Sequence, residues 1–485
     1  MRDIEFERDT EPFINADSKA SELELHGQAV VPAIQRIPPE ILCEIFRWAC
    51  STGEYGAPCT RAVAGRFVRI APWKLTHVSQ HWRTTAHGDA CLWSNIEINA
   101  EPYYLRPIDS DGNRDNSQPA VLTQDSPQVE YPLAALEMQL SLSANAPLCV
   151  IVRLKDRPNG PAHAHVISLL ETLVLHSDHW KVLILVFETD LAVVKTLSHM
   201  KGRLSCLTHF HLCCKLDERW PTELRDIFLD SPQLQRLHIV GQHGPPILLP
   251  YQQLSHLDLP SCSMFLIHGL TAAENLRDLS LGMSNDDDSN PAALVEGIVT
   301  LPNLRSLLIY DGRFSQIIEA PKLAYLFVWS RISAALPLLR RFCGQLEKLE
   351  IRCYRTETSV LPSVLRLVPN LLELGVMFDD RNSVKTDETD GIEIPKSQIF
   401  RAMELSGSAE DICPQLTSAR FTLTPDTVSE DWDSLHSMLN SRWDPGHRLK
   451  RVLLEPAVPL ALSISTKFEA LKADGLELEI AEPPN

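Results

Sequence analysis

The chain has 485 residues, of which 44% are hydrophobic and 22% are charged, so it is apolar enough to fold and long enough for more than one compact unit. Its 63 acidic and 45 basic residues leave a formal net charge of -18, which disfavours nucleic acids and anionic membrane surfaces as partners. Its longest apolar runs, such as VLILVF at 182–187, are far shorter than the roughly 20 residues that span a bilayer, so we expect a soluble protein.

The start of the chain and its cysteines predict an intracellular location. The opening segment MRDIEFERDTEPF lacks the basic start and apolar run of a secretory signal. The 12 cysteines show no paired spacing, and no asparagine begins a glycosylation sequon. We therefore expect a reducing compartment: the cytoplasm, the nucleus or both.

Composition divides the chain into four segments. Residues 1–33 are polar and acidic without a sustained period and are predicted to be a disordered tail. Residues 34–100 are rich in tryptophan and in helical apolar patterns, and residues 101–130 have the Pro, Asp, Asn, Ser and Gly of a linker. A repeated leucine pattern occupies the remaining segment, 131–480.

Two amphipathic helices are predicted within the second segment. In IPPEILCEIFRWAC, Ile41 and Ile45 lie on one line of a helix and Leu42 and Phe46 on the adjoining line, after two prolines that suit a helix entry. In APWKLTHVSQHWRTTAH, apolar residues recur at helical spacing, and LWSNIEI then adds a short strand. Such a small unit has more apolar residues than it can bury by itself, which suggests that a partner covers the remainder. The alternative is that these residues simply form the core of a small helical domain.

This segment resembles an F-box, especially the fungal F-box-like type. The resemblance is carried by I-P-x-E-I-L-x-x-I-F at 37–46, V-S-x-x-W-R at 78–83 and L-W at 92–93, and the connection 51–69 is longer than a minimal F-box needs. It implies an all-α module of three helices that docks on the Skp-type adaptor of a cullin-RING ubiquitin ligase. The adaptor-binding residues that it implies are Ile37, Pro38, Glu40, Ile41, Leu42, Ile45, Phe46, Val78, Ser79, Trp82 and Arg83.

From about Tyr131 the pattern L-x-x-L-x-L recurs, with other apolar residues in place of some leucines. Its last two apolar positions are two residues apart, so they lie on one face of a short strand and are buried there. Prolines precede five copies, and helix-like segments lie between copies, so each unit is predicted to be a helix followed by a strand. The clear copies begin at 207, 234, 254, 276, 304, 323, 346 and 371, and weaker ones at 180, 416 and 449.

The repeat resembles the leucine-rich repeat family over roughly 180–455. Intervals of 19 to 28 residues between clear copies are typical of a solenoid, in which stacked neighbours bury one another's apolar faces. The Asn or Cys that the family places after the strand occurs only at Cys262. The expected fold class is therefore α/β, with the small helical module followed by an irregular leucine-rich-repeat-like solenoid. A charged insertion at about 378–411 is predicted to be a mobile loop.

Residues that alternate with the buried positions of each strand face the other way, and in leucine-rich-repeat geometry they form one wall. Aromatic residues fall on consecutive repeats of this wall beside two cations, and neighbouring strands lie about 4.8 Å apart, so these side chains are expected to be adjacent. Aromatic and arginine residues dominate many interfaces, so we predict target binding here unless an intramolecular segment, such as the C-terminal tail, covers the aromatics. The predicted patch comprises Tyr310, Tyr325, Phe327, Trp329, Lys348 and Arg352.

The sequence gives little sign of catalysis. His209, His211 and Cys213 fall on one face of a strand and suit zinc, but no paired spacing supplies a fourth ligand, so no metal is predicted. Nucleophile-elbow, phosphate-loop, zinc-protease and dinucleotide motifs are absent from the sequence. We therefore expect a protein that is not an enzyme and needs no cofactor.

Two functions stay open at this point. The resemblance implies a substrate-recognition subunit of a Skp-cullin-F-box ubiquitin ligase, which binds the adaptor through the F-box and an unknown target protein through the solenoid. The alternative is a leucine-rich-repeat interaction scaffold without a ligase. Adaptor binding separates the two.

Overall fold

The computed structural model divides the chain into two compact units, Met1–Trp93 and Ser94–Asn485. Its helices and strands make an α/β protein, as the sequence predicts. No described helix is long and apolar enough to cross a bilayer. The predicted tail, the connection 51–69 and the linker lie outside the described residues. The structure describes residues 36–50, 72–99, 133–154, 161–188, 191–215, 224–240, 247–262, 269–283, 298–379, 394–408, 410–443 and 449–482.

The first unit is helical in its described part. Helix α1 begins at the second of two prolines, where a missing backbone N–H costs little. Helix α3 begins after Ser79, whose hydroxyl accepts a hydrogen bond from the backbone N–H of Trp82 at 3.2 Å. This bond satisfies one of the N–H groups that a helix start leaves free. The helices are α1 (Pro39–Cys50), α2 (Trp73–Thr76), α3 (Gln80–Gly88) and α4 (Ala90–Trp93).

Trp93 lies at the centre of the first unit. It is fully buried, its indole Nε1 donates a hydrogen bond to the carbonyl of Ala86 at 2.7 Å, and its ring meets Trp73 edge to face at 4.8 Å. Arg47 and Asp89 join α1 to the start of α4, with Nε and Oδ2 2.9 Å apart. The unit therefore has its own apolar core and one ion pair that fixes α1.

The second unit contains a parallel sheet of 14 strands that follow one another across the sheet in chain order, while β8 and β10 form a separate parallel pair. Each of the eleven L-x-x-L-x-L copies coincides with a strand of the large sheet. The strands are β1 (Asn95–Asn99), β2 (Leu148–Leu154), β3 (Trp180–Glu188), β4 (His209–Lys215), β5 (Arg236–Val240), β6 (His256–Cys262), β7 (Asp278–Met283), β8 (Val299–Thr300), β9 (Ser306–Ile309), β10 (Ile318–Glu319), β11 (Tyr325–Val328), β12 (Lys348–Tyr354), β13 (Glu373–Asp379), β14 (Ser418–Leu423), β15 (Arg451–Pro456) and β16 (Glu477–Ile480).

The leucine pattern explains the core. In the copy at 304–309, Leu304, Leu307 and Ile309 are all fully buried, because the first leucine closes the turn before β9 and the other two face inward from the strand. The strand register places buried leucines next to each other; Leu307 of β9, for example, pairs with Leu326 of β11. One contiguous apolar core results, to which the connecting helices contribute their inner faces.

Eight helices of the second unit are described. Leu338 and Leu339 of α8 and Leu435 of α11 are buried, which accounts for the regular apolar spacing between strands. The helices are α5 (Leu133–Ser143), α6 (Pro161–Val174), α7 (Leu191–Ser198), α8 (Ile332–Phe342), α9 (Leu361–Arg366), α10 (Lys396–Ala402), α11 (Ser429–Trp443) and α12 (Leu462–Ala473).

Two boundaries differ from those predicted. The strand at Asn95–Asn99 was assigned to the N-terminal module, but it pairs with β2 and belongs to the second unit. The segment 378–411 was predicted to be a charged loop, but α10 lies within it, because Ile399 and Phe400 are buried in the core. Residues 380–393 of that segment lie outside the described residues.

Buried charged side chains connect successive layers of the second unit. Glu357 accepts hydrogen bonds from the backbone N–H groups of Ile332 and Ser333 at the start of α8, where a carboxylate also suits the helix dipole. Asp431 accepts in the same way from the N–H of Ser397 in α10, at 2.6 Å. Arg442 is 1% exposed and donates to three backbone carbonyls around α10. These charges replace hydrogen bonds that solvent would otherwise supply.

Candidate functional site

Helix α1 has two apolar lines that differ in exposure. Leu42 and Phe46 are buried in the unit. Ile41 and Ile45 are 54% and 45% exposed, and Trp48 is 81% exposed. Positions 41, 45 and 48 follow the spacing i, i+4, i+7 of one helix face. Three large apolar side chains therefore form an exposed stripe on a helix whose other apolar line is in the core; we call these three residues the α1 stripe.

The second predicted docking segment is mostly structural. Trp82 is half-buried and packs against the core residue Phe46, with ring centroids 4.9 Å apart. Ser79 caps α3, and Nε of Arg83 donates to the carbonyl of Thr76, the last residue of α2, at 2.9 Å. Val78, at 57% exposed, is the residue of this segment that presents apolar surface.

The start of α1 carries the remaining predicted docking residues. Ile37 is half-buried, whereas Pro38 and Glu40 are exposed. The carbonyl of Pro38 accepts the first hydrogen bond of the helix, from the amide of Leu42 at 3.0 Å. Trp48 is absent from the predicted docking residues, although its position seven residues after Ile41 is a sequence signal for the same helix face.

We call the face of the 14-stranded sheet opposite the hydrophobic core the outer face. It carries the residues that alternate with the buried leucines, and most of them are half-buried. Strand register aligns them in rows; Tyr325, for example, lies between Ser306 and Lys348. The outer-face residues predicted from the sequence are His209, His211, Arg236, His238, His256, Asp258, Asp278, Ser280, Ser306, Leu308, Tyr310, Tyr325, Phe327, Trp329, Lys348, Glu350 and Arg352.

The aromatic residues of the predicted patch lie close together on the outer face. Trp329 is 36% exposed and stands between Phe327, whose ring meets it edge to face at 5.6 Å, and Tyr310, whose centroid is 6.2 Å away. Tyr325 lies two residues before Phe327 on the same face of β11. The structure therefore places four aromatic side chains on, or directly after, the neighbouring strands β9 and β11, with Trp329 partly accessible.

Arg352 is fully engaged beside the aromatics. Its guanidinium lies over Trp329, 4.5 Å from the ring centroid, and over Tyr354 at 5.2 Å. Its Nε donates to Oδ2 of Asp379 at 2.7 Å, and both side chains of this pair are less than 15% exposed. In the register of β12 and β13, Arg352 lies opposite Met377, and Asp379 is two residues further along β13 on the same face. Strand register could therefore have predicted this pair. Arg352 thus fixes Trp329 in place, with its charge already neutralised.

Lys348 is also paired. Its Nζ lies 3.1 Å from Glu350, 3.5 Å from Glu373 and 4.8 Å from the centroid of the Tyr325 ring. Burial and the carboxylate of Glu350, which also forms a hydrogen bond with the phenol, raise the pKa of Tyr325. The phenol therefore stays protonated, and the cation of Lys348 is balanced by two acids.

Histidines occupy the outer face at strands β4 to β6. The rings of His211 and His238 are stacked at 4.1 Å, and Nδ1 of His238 forms a hydrogen bond with Oδ2 of Asp258. Burial, and next the neighbouring His238, lower the pKa of His211 to about 4. His256 pairs with Asp278 at 2.8 Å. His211 is therefore neutral at neutral pH, and the two histidines beside it lie against carboxylates.

The histidine strip has neither the order of a nucleophilic triad nor a metal site. Asp258 lies between His238 and Ser280 in the strand order, whereas nucleophilic catalysis needs the histidine between the acid and the nucleophile. His209 and Cys213 lie with His211 on β4, but in the described parts of the chain no group of three or more His, Cys, Asp or Glu could hold a metal ion.

Neither a protein-family model nor a curated protein matches this chain. Function is therefore inferred from two features of the described residues. One is the α1 stripe with its exposed isoleucines and tryptophan. The other is the outer face, with an aromatic cluster held by paired cations.

Proposed function

We propose that this protein is a non-enzymatic substrate-recognition subunit of a Skp-cullin-F-box type ubiquitin ligase. In this proposal the first unit is an F-box-like module that binds a Skp-type adaptor, and the second unit is a leucine-rich-repeat-like solenoid that binds a target protein. The observation that carries it is the division of α1 into a buried line, Leu42 and Phe46, and an exposed line, Ile41, Ile45 and Trp48.

The exposed line supports docking because each of its three side chains is at least 45% exposed. The buried core of the first unit contains Phe46 and Trp93, which have ring contacts with Trp82 and Trp73 respectively. A short helix with a continuous apolar stripe fits a groove on a partner, and tryptophan is frequent among residues that dominate binding energy. Val78, also exposed, could extend the same contact. Burial of isoleucine side chains contributes about 1.5–3 kcal/mol each relative to exposure.

The outer face supports target binding because its aromatics are rigid. Trp329 is held by Arg352 on one side and by Phe327 and Tyr310 on others, so little conformational entropy is lost when a partner contacts it. A receptor of this kind needs no catalytic residues of its own. It accelerates ubiquitin transfer by holding the target near the ligase.

Copurification tests the proposal. The chain is coexpressed with a Skp-type adaptor beside the variant Ile41→Asp, Ile45→Asp, which changes the exposed line and leaves the buried line intact. We expect the wild type to retain the adaptor and the variant to lose it while remaining folded. The matched control is Leu175→Asp, Leu462→Asp, which places the same charges at positions 64% and 85% exposed in the second unit. A folded wild type that retains no adaptor supports the alternative, an interaction scaffold without a ligase.

A further inference from the structure

A groove crosses the outer face at the C-terminal end of the large sheet. It encloses about 530 Å³ over strands β12 to β16. Its lining includes Lys348 and Glu350 at one end and Glu477 and Glu479 at the other. Lys348 also stacks on Tyr325, so the groove adjoins the aromatic cluster. A segment bound in the groove would therefore lie next to those aromatic side chains.

Small residues keep the floor of the groove low. Gly375 faces Glu350 across the sheet, and a Cβ at this glycine would come 2.8 Å from Cγ of Glu350. Ser418 of β14 pairs with Glu373 of β13, and Leu453 lies in β15, the strand that follows β14 in the sheet. The groove exists because glycine and serine occupy positions where larger side chains would fill it.

The cations of the groove are all balanced by acids. Each one forms an ion pair within 4 Å, and two of them share Glu373. Each of these cations therefore has an acidic neighbour; the pairs of Arg451 and Lys472 are the long ones, at 3.9 Å. The pairs are Lys348 with Glu350 and Glu373, Arg420 with Glu455, Arg451 with Glu373, and Lys472 with Glu469.

Two acids of the groove are left over. Glu477 and Glu479 are exposed on the terminal strand β16, and neither forms an ion pair with any described residue. They lie in register with Arg451 and Leu453, so they form one wall of the groove. The lining holds four acids and four cations, and the partner acids Glu455 and Glu469 bring the total to six acids against four cations. The groove with these partners thus carries surplus negative charge, on a chain whose formal net charge is -18.

We propose that this groove binds a basic segment of a target protein, with lysine or arginine side chains reaching Glu477 and Glu479. An extended segment fits a shallow trough with a low floor, and its cations would replace solvent at carboxylates that have no internal partner. The acidic chain would also attract a basic segment over distance. This inference rests on the proposed function in one respect, that the outer face holds the target.

Fluorescence polarisation of the purified chain tests the ligand class. The probes are a fluorescein-labelled peptide of alternating glycine and arginine and its counterpart of alternating glycine and glutamate. We expect the arginine peptide to bind and the glutamate peptide not to bind. Glu477→Gln, Glu479→Gln should weaken the arginine peptide about fivefold, because two exposed ion pairs are lost.

Two further variants separate the groove from general attraction to an acidic protein. Glu274→Gln, Glu430→Gln removes the same charge at exposed positions outside the groove and should leave binding unchanged. Ser418→Trp fills the floor without changing charge and should weaken binding. Equal binding by all variants, or tighter binding of the glutamate peptide, overturns the inference. The peptide assay contains no adaptor, so its result does not bear on the proposed adaptor docking. That docking is tested separately by copurification.

Discussion

The guanidinium of Arg352 lies on the Trp329 ring, 4.5 Å from its centroid, while its Nε holds the carboxylate of Asp379. Trp329 directly follows strand β11, whereas Arg352 and Asp379 lie in β12 and β13, and each limits the movement of the next. Trp329 is thereby fixed at the centre of the aromatic cluster. A rigid tryptophan with an accessible edge is suited to protein recognition.

The Arg352 and Asp379 pair is predicted to stabilise the second unit. Arg352→Ala should lower the free energy of unfolding by about 2 kcal/mol, because it removes the guanidinium that pairs with a largely buried carboxylate. Urea unfolding followed by tryptophan fluorescence measures the change. Arg305→Ala, at an exposed arginine, is the control. The double variant Arg352→Ala, Asp379→Ala should cost less than the sum of the single changes; strict additivity would contradict a coupled pair.

Arg442 is predicted to be among the most important polar residues for folding. It donates to the carbonyls of Met403, Ile412 and Cys413 from a buried position. Arg442→Met keeps much of the side-chain volume but removes all three bonds, so the free energy of unfolding should fall by about 3 kcal/mol. Arg366→Met, at an exposed arginine of α9, should change it little. Equal denaturant midpoints for the two variants would show that the carbonyls find other donors.

Stability is predicted to depend on pH through His211. Its pKa is about 4 in the folded chain against 6.5 for an ordinary histidine, so the unfolded state takes up a proton that the folded state excludes. The free energy of unfolding should therefore fall as the pH drops from 6.5 to about 4. His211→Phe retains a ring against His238 and should flatten this part of the curve. His199→Phe, at an exposed site, should leave the slope as in the wild type; an unchanged slope in His211→Phe would refute the assignment.

Target capture is predicted to depend on the aromatic cluster. Proteins labelled by proximity to the chain in cells are compared between the wild type and Tyr325→Ala, Trp329→Ala, each with 34–93 deleted so that targets are retained. We expect the variant to lose specific partners, since rigid aromatics supply a large share of interface energy. Leu229→Ala, Val428→Ala, at positions 50% and 57% exposed, is the control. An unchanged set of partners would remove the cluster from target binding.

The repeats could be predicted from sequence more fully than either end of the sheet. Two leucine-pattern positions define each inner strand, and the eleven copies coincide with strands. Strands β1, β2 and β16 carry no such pattern, so they were missed or assigned elsewhere. Helix α10 was missed because a charged run precedes it, although the burial of Phe400 outweighs that signal.

Side-chain roles were harder to predict than positions. On α1, sequence places Ile41 and Leu42 on adjoining apolar lines, but both are apolar, so only packing decides that Leu42 is inside. The sequence predicts Arg352 and Lys348 as binding cations, but both are paired. Asp379 and Glu373 come 27 and 25 residues later, and Glu350 is a second, nearby partner of Lys348. Register rather than local pattern brings these charges together.

Binding of a purified Skp-type adaptor to the 485-residue chain, measured by isothermal titration calorimetry, tests the central proposal most directly. We predict a one-to-one complex with a negative heat-capacity change, the mark of buried apolar surface, and no binding by Ile41→Asp, Ile45→Asp. Trp48→Ala should weaken the complex by about tenfold or more if this residue lies at the centre of the contact. No measurable binding by the folded wild type, or equal binding by the aspartate variant, would contradict the proposal.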